Sequence, residues 1–73
     1  MHTPFDLSQE SVLKNFQLCL EVEERALDYY SELIPKLSGE DLDIISKIAD
    51  DESRHIGLIN ELMAIITKSY QPE

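Results

Sequence analysis

Seventy-three residues leave room for one small domain, and two Gly and three Pro are too few turn formers for a multi-stranded β fold. Fifteen acidic against six basic residues, a formal charge of −9, argue against nucleic acid and anionic membrane surfaces, because gripping phosphates takes clustered Lys and Arg. The same balance suits a protein that handles cations, and equally one whose acids merely keep a small helical chain in solution.

Residues 1–7 show no sustained period and read as a flexible lead-in, with Thr3-Pro4 or Ser8 offering capping chemistry to open a helix. From about Ser8 to Ile34 the apolar positions Val12, Phe16, Cys19, Leu20, Ala26, Leu27, Tyr30 and Ile34 recur at three- and four-residue steps, the mark of a helix. Pro35 lacks an amide donor and disfavours helix at its predecessor, so this helix ends or bends there. Ser38-Gly39-Glu40-Asp41 then reads as a capping box. A second helix follows, from about Gly39 to Lys68, striped by Leu42, Ile45, Ile48, Ala49, Ile56, Ile59, Leu62, Met63 and Ile66. Residues 70–73 read as a frayed tail. No run approaches the ~20 apolar residues of a membrane span. The N-terminus has no secretory pattern, and the lone Cys19 forms no disulfide within the chain, so the expected setting is the cytoplasm.

Two long helices joined by a few residues predict an all-α fold, an antiparallel hairpin over 8–69. Such a hairpin leaves much of each apolar stripe in water, and the expected remedy is a homodimer that completes a four-helix bundle. A second apolar line, Leu18, Val22 and Tyr29 on the first helix with Ile44, Leu58 and Ile65 on the second, flanks the primary stripe. It predicts either a broader bundle interface or a larger homo-oligomer.

Three ionisable residues interrupt the stripes. Glu23 lies on the centre line of the first, Glu52 on that of the second, and His55, three residues on, shares its face. Glu23 and Glu52 are equally far in sequence from the middle of the connection, which puts both about 22 Å from the turn. A lone Glu on an apolar stripe ordinarily snorkels or pairs with Lys, and a lone His is ordinarily a hydrogen-bonded core residue. Here the three match in face and height, and neither helix offers a central Lys or Arg. A two-fold dimer would gather four carboxylates and two imidazoles, tolerable only if the Glu are protonated or cations neutralise them. Carboxylate oxygen with imidazole nitrogen suits Fe, Mn or Zn better than Mg or Ca.

The chain reads Glu23-Glu24-Arg25-Ala26-Leu27-Asp28-Tyr29-Tyr30, and later Asp51-Glu52-Ser53-Arg54-His55. A Glu followed by Ala three residues on and Tyr seven on, with Glu-x-x-His downstream, resembles the rubrerythrin-like branch of the ferritin superfamily and the encapsulated ferritins. The resemblance spans about residues 12–66. It implies a ferritin-like bundle with Glu23, Glu52 and His55 as metal ligands, two Fe ions per dimer, and ferroxidase-type oxidation of Fe(II) by oxygen or peroxide. Glu52 or its mate would bridge the ions, and Tyr30 could stand behind the ligands as a hydrogen-bond donor or redox relay. The chain departs from these families in carrying a single helix pair, no Cys-x-x-Cys, and Val22 and Arg25 where encapsulated ferritins place accessory acids. A metal-free helical dimerisation module and a non-redox Zn or Mn structural dimer are the alternatives.

Overall fold

A computed structural model describes residues 4–69, and every regular element among them is helical. The first three residues of the expected lead-in and the 70–73 tail lie outside the described residues. Helix α1 spans Gln9–Leu33 and helix α2 spans Gly39–Ser69, joined through a short 3-10 turn at Ile34–Lys36.

Ser8 opens α1. Its backbone is extended (φ −61°, ψ 154°), and its hydroxyl oxygen accepts from the Ser11 amide at 3.3 Å, satisfying one of the amides that a helix start leaves without a partner. The Ser8 amide in turn donates to the Asp6 carboxylate at 2.9 Å, a bond that holds the Asp6 carboxyl below its ordinary range. Glu10 adds a negative charge in the first turn, where the helix dipole favours it. At the other end Pro35 cannot donate to the α-helical ladder. The chain tightens into the 3-10 turn, closed by the Leu37 amide donating to Ile34 at 3.1 Å. Gly39 then starts α2 with a φ of 63°, a left-handed value that costs a residue with a Cβ about 1–2 kcal/mol. Space is not the constraint there, since a Cβ at Gly39 would meet nothing within 4 Å. Glu40 and Asp41 in the first turn of α2 and Lys68 in its last both complement the dipole.

The two helices pack against each other, but they bury little. Among the described residues only Leu20 and Ala49 (each 8% exposed) and Ile66 (7%) are buried. The Gln9 side-chain amide donates to the carbonyls of Ile66 at 2.6 Å and Thr67 at 3.1 Å, tying the start of α1 to the end of α2. The particle measures 50 × 24 × 17 Å, with a radius of gyration of 16.2 Å. A compact globule of this length would have about 11 Å. The shape is a rod with a thin seam of core, not a closed fold. Among the described residues no helix is long and apolar enough to cross a membrane.

Candidate metal centre

Glu23 sits near the middle of α1, and Glu52 and His55 near the middle of α2. Their side chains converge: one ligand atom from each lies within 4.8 Å of the others. Glu23 Oε2 stands 3.9 Å from His55 Nδ1. That is too long for a hydrogen bond. It is shorter than the ~4.0–4.4 Å separating two ligands on opposite sides of one ion at metal–ligand lengths of about 2.0–2.2 Å. The wider 4.8 Å limit requires one side chain to close by under an ångström or so.

Electrostatics sharpen the point. Glu23 Oε2 is withdrawn from solvent and has no hydrogen-bond partner. A carboxylate oxygen in that state has lost water and gained nothing, which costs stability unless something else neutralises it. Two carboxylates and one imidazole are a donor set for Fe, Mn or Zn, and three protein ligands leave room in the shell for a further group. The residues present therefore fit the metal that the sequence implies.

The trio does not lie deep between the helices. Glu23 and Glu52 are half-buried and His55 is exposed, its side chain at 47%. The reason is the rotation of the helices about their axes. The contact between them is turned toward Leu20 and Ala49, so residues on the opposite flank of each stripe come out into solvent. Ile48, expected to face the core, is exposed, and so is Cys19, expected to be a small buried residue. On α2 the positions Ile44, Ile48, His55, Leu58 and Leu62 form one exposed line, and on α1 Val22 and Tyr29 are exposed likewise. His55 is thus a polar member of an uncovered, largely apolar flank.

Tyr30 is half-buried on the stripe that carries Glu23, with the Tyr29 ring edge-on to it at 6.0 Å. Its hydroxyl does not bond Glu23 Oε2, which accepts from nothing. Asp51, off the centre line of the apolar stripe, lies on the exposed flank one turn before His55. Its Oδ1 accepts from Arg54 at 3.2 Å in an exposed pair of the kind worth a few tenths of a kcal/mol. The signal for Asp51 is the three- and four-residue stepping of that flank, which runs 44, 48, 51, 55, 58, 62.

Set against family models, curated proteins and solved structures, the chain shows no match. The chemistry of the site rests on the trio itself.

Proposed function

We propose that the chain is an antiparallel hairpin forming half of a ferritin-like four-helix bundle, and that a homodimer binds two Fe(II) ions and oxidises them. Glu23 and His55 hold one ion in each copy, Glu52 reaches toward both, and Tyr30 stands behind the ligands. The observation that carries this reading is the convergence of Glu23, Glu52 and His55 around an orphaned carboxylate oxygen, at the margin of an exposed apolar flank. A metal accounts for the oxygen, and a second copy accounts for the flank. Because the helices run in opposite directions, the exposed apolar lines of α1 and α2 emerge on the same side of the pair, where one partner surface covers both.

Bound iron supplies the redox chemistry; the chain supplies charge balance, spacing and, in the dimer, exclusion of water. Two Fe(II) ions yield two electrons. Dioxygen that takes them with two protons becomes hydrogen peroxide, and peroxide that does so becomes two waters. The protein then serves iron handling or oxidant removal according to which oxidant it meets.

Anaerobic Fe(II) titration should show two ions per dimer, and admitting air should develop the ferric absorbance. Metal at a thousandfold excess over its dissociation constant should add about 4 kcal/mol to stability. Glu23→Ala should abolish all three effects. Iron binding and oxidation that survive in Glu23→Ala overturn the assignment of ligands. Bound Fe(II) that stays reduced in air favours a structural Zn or Mn site, and a stable dimer whose melting temperature ignores metal favours a plain dimerisation module.

A further inference from the structure

Two apolar hollows lie near the two ends of the hairpin. One, at the turn, has a volume of about 260 Å³ and is lined by Leu33, Leu37, Asp41, Ile44 and Ile45. The other, at the open end, has a volume of about 240 Å³ and is lined by Leu7, Val12, Asn15, Phe16 and Cys19 together with Asp6. Ile44 at the first and Cys19 at the second are both exposed, so each hollow reaches the uncovered side of the pair. Both are smaller than the ~300 Å³ at which pockets for small molecules begin, and each suits a side chain better than a ligand. Along the axis they are counterparts. Leu37 stands about 21 Å from the level of Glu23 toward the turn, and Leu7 about 24 Å from it the other way.

We propose that the lead-in is an arm exchanged between copies: in the dimer, Leu7 of each copy seats in the hollow at the partner's turn. This rests on the dimer proposed above and adds to it a direction and an anchor at each end. Leu7 is 47% exposed, and Phe5 before it 72%, on a stretch that precedes α1 and belongs to neither helix. A two-fold axis crossing the helices at the level of the trio sends each turn to the partner's open end. That brings Leu7 within a few ångströms, along the axis, of the partner's Leu37. Running the copies the other way would set turn hollow against turn hollow, with no exposed lead-in to fill either. Charge favours the first arrangement as well. Residues 32–43 about the turn carry four acids and one Lys, whereas residues 5–14 and 61–68 at the open end carry three acids and two Lys. Turn against turn doubles the more acidic end, and turn against open end does not.

Leu7→Cys with Leu37→Cys on a Cys19→Ser background tests the seat. Within one copy these positions lie about 45 Å apart, so a disulfide between them forms only between copies. Mild oxidation of dilute protein should convert the double variant into a covalent dimer. Either cysteine alone should stay unlocked, because like positions in the two copies would be about 40 Å apart or more. A dimer by light scattering that binds two Fe(II) yet stays unlocked overturns the arm and leaves the metal reading standing. A locked dimer that binds no metal keeps the arm and overturns the metal reading; a monomer that binds no metal overturns both. Locking by Leu37→Cys alone puts the two turns together and overturns the arm. Leu7→Ser gives a second readout. With two seats emptied, the dissociation constant of the dimer should rise by about 100-fold or more. Helix content by circular dichroism should hold, since Leu7 lies outside α1. An unchanged dissociation constant overturns the seat.

Discussion

Ile48 and Ala49 are neighbours on α2 with opposite surroundings. Ala49 is buried against α1, and Ile48 is open to solvent. Each begins a line. The line of Ala49 continues through Glu52, Ile56, Ile59, Met63 and Ile66 and is buried or half-buried throughout; the line of Ile48 continues through Asp51, His55, Leu58 and Leu62 and is exposed throughout. A helix that serves one neighbour needs an apolar arc of roughly 100°. The arc of α2 is wider than α1 alone can cover, and its surplus is apolar rather than charged. The trio of Glu23, Glu52 and His55 straddles the boundary, with Glu52 on the covered line and His55 on the uncovered one. The trio therefore lies where the contact between the two helices gives way to the exposed apolar flank, the face that the proposed dimer would cover.

Two substitutions separate these contacts. Leu58→Asp removes an apolar side chain from the uncovered line and puts a charge in its place. Burying a Leu is worth about 1.5–3 kcal/mol, and a two-fold dimer contains the position twice, so association should weaken by about 3–6 kcal/mol. Sedimentation should show a monomer at concentrations where the wild type is a dimer, and two-ion binding should vanish with it. An unchanged mass would show that the flank is not where copies meet. Leu20→Ala acts on the covered side. Truncating a buried Leu costs about 2–5 kcal/mol, and only one such cost falls on each chain. Thermal unfolding should register it with metal and without, while a dimer that still folds keeps its iron stoichiometry. If Leu20→Ala instead removed metal binding while leaving the melting temperature alone, the division between the two flanks would be false.

The helices and their ends were legible because their causes are local. Ser8 caps and Pro35 stops through their own backbone and side-chain chemistry, and the bounds of α1 at Gln9–Leu33 follow from them; α2 starts at Gly39, where the reading of a capping box put it, although the φ of 63° at Gly39 was not part of that reading. The coming together of Glu23, Glu52 and His55 was legible too, since equal distance from the turn and a shared face are arithmetic on a helical period. Depth was not. Periodicity fixes the centre of an apolar arc but not which part of a wide arc meets the adjoining helix, and that choice left Cys19 and Ile48 outside. It is settled only when the two helices pack together, and no single helix pattern contains it.

The smallest effect probes the side of α2 that neither contact uses. Gly57 is exposed in the helix interior, and a Cβ there would meet nothing within 4 Å. It lies about 140° round the helix from Glu52 and about 100° from Leu58, outside both apolar lines. Gly57→Ala should stabilise the chain by about 0.5–1 kcal/mol, because alanine has less backbone freedom to lose on entering the helix. For a chain this short that corresponds to a rise of a few degrees in melting temperature. The gain should appear equally in the wild-type background and in Leu58→Asp, since no partner approaches position 57 when copies meet through the exposed flank. A gain in the Leu58→Asp monomer that turns into a loss in the dimer would mean that another backbone packs against the glycine. The interface would then lie behind α2, and the apolar flank with His55 at its centre would still lack its cover.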